Sequence, residues 1–272
     1  MTKLYDMHMH TRFSGDSEAD PYEMIAAAKS KKLSGLIFTD HMDLDYWVEP
    51  HLFDLDLETY LPTLSAIASE CSDDSFHIGV GMELGLQEHL VSKHQELLSN
   101  YDFDFIIGSI HQVNKQDPYY DSFYDKRDAA GAFREYLEAT YDNLNAFHDI
   151  DTLGHLDYIV RYAKRFFGED TALLSSDFPE LLEAIYRFLI AHDISLEVNT
   201  GAYRCGLTEP NPSIELLQFY YDCGGRAITI GADAHKPEHV GLAFEQLPEL
   251  LRSVGFTTYR HYLGRTPSEL PL

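Results

Sequence analysis

Seven short apolar runs punctuate the chain: Leu4 to Met9, Gly35 to Thr39, Phe76 to Met82, Phe103 to Ser109, Thr152 to His155, Ile194 to Val198 and Ala227 to Ile230. Several are nearly continuous rather than alternating, the signature of strands buried on both faces of a parallel sheet. Between them, apolar positions recur at helical spacing. Asp20 is placed to cap a first helix, with Pro21 at its first position, Met24, Ile25 and Ala28 on one face, and Gly35 beyond its end. Asn211-Pro212-Ser213 repeats that start, followed by Ile214, Leu217 and Tyr221 before Gly224-Gly225. Further helices are expected over 57–70, 89–99, 127–148 and 178–191. Strand and helix alternate throughout, which argues for an α/β fold of parallel strands joined by crossover helices. No Pro/Ser-rich linker, repeat or low-complexity stretch divides the chain, so residues 1–272 are expected to form one domain.

Nine residues able to bind a metal lie at or just after the ends of these runs: His8, His10, Asp16, His41, Glu83, His111, His155, Asp233 and His235. A chain that returns to the same chemistry after each strand is building one site, because the strand ends of a parallel barrel converge on one face. A seven-stranded barrel therefore fits better than a doubly wound sheet. His8 and His10, two residues apart on a strand, point to one side and can grip one ion. Asp16 follows the turn-like Ser14-Gly15. A carboxylate at a dry barrel mouth must be paired or metal-bound, which makes Glu83 a natural bridging ligand. The other eight of the 14 histidines fall mostly in helices, loops or strand starts and are read as non-ligands, His239 being the nearest in sequence to the site. Nitrogen and oxygen donors suit two or three divalent ions, with Zn, Fe and Mn all compatible. Adjacent ions sharing a carboxylate can generate hydroxide near neutral pH and stabilise both attacking and leaving oxygens, which is phosphoesterase chemistry.

Composition narrows the partners. A net charge of -25 repels a nucleic-acid backbone and an anionic membrane. A small phosphate ester remains compatible, since bound divalent ions dominate the field of a pocket. The start MTKLYDMHMH carries no apolar leader region and the chain has no long apolar span, while Cys71, Cys205 and Cys223 show no paired spacing. A soluble cytoplasmic protein is the expectation; its oligomeric state is not legible.

The motifs His8-Met9-His10, Thr39-Asp40-His41, Glu83, Ser109-Ile110-His111, Gly154-His155 and Asp233-Ala234-His235 resemble those of the PHP (polymerase and histidinol phosphatase) superfamily across the whole chain. The segments TLGHLDYIVRY, LEVNTGAYR and ITIGADAHKPEHVG look like its histidinol-phosphate phosphatase branch. The resemblance implies a distorted (β/α)7 barrel, with a trinuclear centre at the C-terminal ends of its strands, that hydrolyses L-histidinol phosphate in histidine biosynthesis. By position it implies that His8, His10, Glu83 and Asp233 hold one ion, Glu83, His111 and His155 a second, and Asp16, His41 and His235 a third. Asp16 stands where some members have histidine.

A hydroxide bridging two ions would attack phosphorus, and Asp233 is the leading proton-transfer group, ahead of His235. Arg161 and Arg204 are candidate phosphate clamps. Ser14 is a candidate hydrogen-bond donor, and Asn199 is expected to face the pocket. Trp47, Glu49 and Tyr46 could meet a cationic substrate end. The competing readings are a phosphatase acting on another small phosphate ester or a phosphotyrosyl peptide, a metal-dependent amidohydrolase, and a non-catalytic metal-binding barrel.

Overall fold

A computed structural model describes residues 3–272 of the chain; Met1 and Thr2, the first residues of the stretch read for leader character, lie outside it. Strands alternate with helices in the order β1 (Tyr5–Asp6), α1 (Pro21–Ser30), β2 (Gly35–Phe38), β3 (His41–Met42), α2 (Leu57–Cys71), β4 (His77–Val80), β5 (Met82–Gly85), α3 (Val91–Asn100), β6 (Ile106–Ser109), α4 (Ala129–Ala146), β7 (Thr152–Leu153), α5 (Val160–Phe167), α6 (Pro179–Ala191), β8 (Ser195–Asn199), α7 (Ile214–Asp222), β9 (Ile228–Gly231), α8 (Leu247–Val254), β10 (Thr258–Leu263) and β11 (Thr266–Pro271). All seven apolar runs carry strands, and apart from the exposed His77 at the start of β4 the strand residues within them are buried on both faces, as the lack of alternation implied.

Two of the seven strand positions are each broken into a pair of strands. β2 and β4 pair in parallel within a three-stranded sheet ordered β1-β2-β4, while their continuations β3 and β5 pair in a six-stranded sheet ordered β3-β5-β6-β7-β8-β9. Seven strand positions therefore run round the molecule, all parallel. The two ends of the series meet: Met7 N donates to Ile230 O at 3.1 Å, His10 N to Ala234 O at 2.8 Å, and Ala234 N to His8 O at 3.2 Å. These bonds join the segment following β1 to β9 and the residues after it, with a single isolated parallel bridge between Met9 and Ala234 rather than a ladder of paired strands, and that irregularity is the distortion of the barrel.

Asp20 caps α1 by accepting from Tyr22 N, and Pro21 opens it. α7 is capped by Ser213, whose side chain accepts from Leu216 N, while Asn211 before it pairs its backbone with Asn199. The pattern of polar and apolar positions did not anticipate α5, α8 or the antiparallel β10–β11 hairpin. Both helices are only eight residues long, and β11 contains Pro267 and Pro271, which weaken any strand signal. The hairpin packs on the N-terminal ends of the strands: Tyr259 Oη donates to Lys3 O at 2.6 Å and Tyr262 Oη to Asp151 O at 3.1 Å. It closes the end of the barrel opposite the histidines.

Candidate metal centre

All nine predicted ligands converge at the C-terminal strand ends. His41 in β3 and Glu83 in β5 are direct cross-strand partners. His8 and His10 follow β1, His111 follows β6, His155 follows β7, and Asp233 and His235 follow β9. His8, His10 and Glu83 are fully buried, whereas the Asp16 carboxylate at the rim is 40% exposed. Asp233 sits at φ 53°, a left-handed conformation that Asp tolerates better than most residues and that aims its carboxylate back across the strand end.

Glu83 is the hub. Its Oε1 lies 2.9 Å from His155 Nε2 and 3.2 Å from His111 Nε2, and accepts from Ser109 Oγ at 2.6 Å. Its Oε2 lies 3.0 Å from His41 Nδ1, 3.2 Å from His8 Nε2 and 3.5 Å from His10 Nε2. Asp233 Oδ1 is 3.5 Å from both His10 Nε2 and His235 Nδ1, and Asp16 Oδ2 is 3.0 Å from His235 Nε2. Four groups of donor atoms converge closely enough to share an ion: His8/His10/Asp233, His8/Glu83/His155, His10/His41/His235 and His41/Asp43/His111.

These residues fit divalent metal. Glu83 Oε2, His41 Nδ1, His155 Nδ1 and Asp43 Oδ2 are buried without a hydrogen-bond partner, and such orphaned groups are costly unless something else satisfies them. His8 Nε2 and His10 Nε2 stand 3.1 Å apart, a spacing compatible with one ion about 2.0–2.1 Å from each nitrogen. The electrostatics agree. Burial opposes charge on Glu83, yet His8, His111 and His41 around it hold its carboxyl well below the usual range, so it stays an anion in want of a cation.

Two further carboxylates complete the cluster, and neither was singled out from the sequence. Asp43 Oδ1 lies 2.8 Å from His111 Nδ1 and Asp43 Oδ2 3.4 Å from His41 Nδ1. Glu197 Oε1 lies 2.6 Å from His8 Nδ1. The signals were present: Asp43 is two residues beyond His41, just past the end of β3, and Glu197 is a charge inside the apolar run of β8. The other eight histidines take no part in the convergent groups.

A cavity of about 440 Å³ opens over the cluster, walled by Tyr46, Phe53, Tyr119, Tyr120, Tyr158 and Tyr162 and reached by Arg161, Arg204 and Asp117. Arg161 is buried and bonds through three nitrogens: Nη1 to Asp233 Oδ2 at 2.7 Å, Nε to Asn211 Oδ1 at 2.7 Å and Nη2 to Asn199 Oδ1 at 2.8 Å. Arg204 bonds through Nη2 to the Asp233 carbonyl, while its buried Nε has no partner. Four candidate substrate contacts lie elsewhere. Asn199 is fully buried, holding Arg161 and donating to Glu197 Oε2 at 3.1 Å, so it does not face the cavity. Ser14 is buried beneath the ligands, donating to Asp40 Oδ1 at 3.0 Å and accepting from His41 N at 2.9 Å. Trp47 is 61% exposed with Lys115 over its ring, and neither it nor Glu49 lines the cavity. The loop after β3 turns Tyr46 inward instead, its hydroxyl donating to Asp117 Oδ2 at 2.7 Å.

The sequence has close relatives. A Lactococcus lactis histidinol-phosphatase is 30% identical over 263 residues, 96% of this chain and 95% of the relative. A Clostridium acetobutylicum protein named a probable histidinol-phosphatase is 30% identical over 243 residues, 89% of this chain and 90% of that protein. The crystal structure of the Lactococcus lactis histidinol phosphate phosphatase, in complex with zinc, L-histidinol and phosphate, matches with a TM-score of 0.87 at 29% identity, covering 98% of this chain and 99% of that one. Residues 6–201 match the family model of the PHP domain. With that match spanning well over half of its length and its histidines gathered where the motifs placed them, the chain belongs to the PHP domain family.

Proposed function

We propose that this chain is a metal-dependent phosphomonoesterase, a histidinol-phosphatase that hydrolyses L-histidinol phosphate to L-histidinol and phosphate in histidine biosynthesis. The observation that carries this is the match, over nearly the whole chain, to a structure whose protein binds zinc, L-histidinol and phosphate. Residues 1–272 act as one catalytic unit. Among the described residues no helix is long and apolar enough to cross a membrane, and we place the protein in the cytoplasm, acting on a small molecule rather than on nucleic acid.

We assign His8, His10, Glu83 and Asp233 to one ion, Glu83, His111 and His155 to a second, and Asp16, His41 and His235 to a third, zinc being the first choice and iron or manganese compatible. Bound there, the ions supply water activation near neutral pH and neutralise charge on phosphoryl oxygens. The protein supplies the rest. Arg204, with a buried Nε lacking a partner, offers donors to the phosphate. Arg161 is already committed through three nitrogens and chiefly fixes Asp233. Proton transfer is assigned to Asp233, whose carboxylate lies beside His10 and His235 in the cluster: it takes a proton from the attacking water and passes it to the oxygen leaving phosphorus, while the P–O bond to water forms and the P–O bond to the alcohol breaks. His235 beside it is the secondary choice. The aromatic walls exclude water, and Asp117 is the carboxylate placed to meet the cationic end of the substrate.

The test is phosphate release from L-histidinol phosphate, a nucleotide monophosphate and an aryl phosphate, before and after chelation. Selective turnover of histidinol phosphate that disappears with the metal and returns with zinc supports the reading. Equal rates on all three substrates would assign the chain to general phosphate esters, and activity surviving complete metal removal would end the metal-dependent reading.

A further inference from the structure

Glu197 lies in the middle of β8, a strand that carries none of the nine predicted ligands. It is 1% exposed, a position in which an uncompensated carboxylate is strongly disfavoured. Both oxygens are committed. Oε1 lies 2.6 Å from His8 Nδ1, while Oε2 accepts from the His155 backbone N–H at 2.8 Å and from the Asn199 amide at 3.1 Å. Asn199 Oδ1 accepts in turn from Arg161 Nη2 at 2.8 Å. The space is made by a glycine: a Cβ at Gly231 would fall 2.4 Å from His8 Cβ and 2.6 Å from Glu197 Oε1.

We infer that Glu197 is the positioning residue of this centre, fixing His8 as the Nδ1–H tautomer with Nε2 free for the ion and, through Asn199, holding Arg161 beside Asp233. A carboxylate that close to Nδ1 takes the proton of that nitrogen in a hydrogen bond, which leaves the lone pair on Nε2, the edge facing His10 and Glu83. Only an acceptor at both oxygens satisfies the three donors around it. Glutamine has the same shape but one donor and one acceptor. With its oxygen toward His8, its amide hydrogens meet the His155 and Asn199 donors. Turned round, it donates to His8 Nδ1 and drives the ring proton onto the edge that must bind the ion.

This rests on the metal-dependent reading but not on the identity of the substrate, because the readout is metal binding itself. Zinc affinity is measured by competition with a chromophoric chelator for the wild type, Glu197→Gln and Glu197→Asp, with circular dichroism to follow folding. Glu197→Gln should bind the most labile zinc about 10–100-fold more weakly, with the shortened but charged Glu197→Asp in between, and excess zinc should restore much of the lost turnover of an aryl phosphate. Zinc affinity equal to wild type in Glu197→Gln would overturn the assignment. Nitrogen NMR of the zinc-loaded wild type needs no variant: His8 protonated on Nδ1 is expected, and His8 protonated on Nε2 would overturn it. Failure to turn over histidinol phosphate would leave both measurements intact.

Discussion

Arg161 Nη1 lies 2.7 Å from Asp233 Oδ2, with both side chains almost wholly buried. Burial alone would raise the Asp233 carboxyl, but Arg161 and His8 outweigh it and hold the group well below the usual carboxylate range. Asp233 is thus held as an anion at the point where β9 delivers the chain to the histidine cluster.

Asp233→Asn keeps the shape and removes the proton acceptor. Turnover should fall about 100- to 10,000-fold, the range of a lost acid–base group, with KM changed far less. Steady-state kinetics on metal-saturated protein checks this, with metal content measured alongside because Asp233 is also an assigned ligand. Near-normal kcat would remove Asp233 from proton transfer.

The two arginines should separate. Arg204 has unused donors, so Arg204→Ala should raise KM and the inhibition constant for inorganic phosphate roughly 10- to 100-fold, the value of a hydrogen bond to a charged group. Arg161 holds Asp233, Asn199 and Asn211 at once, a geometry lysine cannot copy, so Arg161→Lys should act mainly on kcat. The opposite pattern would exchange their roles.

Asp117 is buried in the aromatic wall, where it accepts from the Tyr46 hydroxyl and from Tyr119 N, each at 2.7 Å. Asp117→Asn should lower kcat/KM for histidinol phosphate by about tenfold or more while sparing an aryl phosphate that has no cationic end. Equal losses on both substrates would mean that Asp117 only shapes the wall.

His94, on the inner face of α3, is buried against Phe147 with neither ring nitrogen bonded, and burial lowers its pKa from 6.5 to about 4. The folded protein thus prefers the neutral ring, and the unfolded chain binds the proton more readily. Stability from this residue is complete above about pH 6.5 and is lost as pH falls toward 4, by at most ~3 kcal/mol. Urea unfolding of the wild type against His94→Leu, at matched metal content, should show the wild type losing stability more steeply over that window. Parallel curves would show that His94 is not the titrating group.

Much of this centre could be read in advance because metal ligation demands particular atoms at particular strand ends. His8 and His10, or Asp233 and His235, announce themselves by spacing and by the apolar run before them. Asp43 and Glu197 leave fainter marks, a carboxylate two residues past His41 and a single charge inside an apolar run, since a carboxylate that orients an imidazole need only be near it in space. Polar residues after strands often face a pocket, which is what the sequence suggests for Asn199 and Ser14; here the closeness of the strands turns both beneath the histidine cluster. Trp47 and Tyr46 are neighbours in sequence, and only the path of their loop sends one to solvent and the other to the cavity.

The seven parallel strand positions, most of the helices between them and the type of donor after each strand follow from the sequence, because periodicity, turn chemistry and donor type are local properties. Tertiary structure decided which donor atoms converge, that Glu83 touches five imidazoles, that Arg161 is spent on Asp233 while Arg204 keeps Nε without a partner, and that a hairpin seals the far end of the barrel. Those relations join residues as far apart in sequence as Asp16 and His235 or Lys3 and Tyr259, and distance and angle between such residues exist only once the chain has closed on itself.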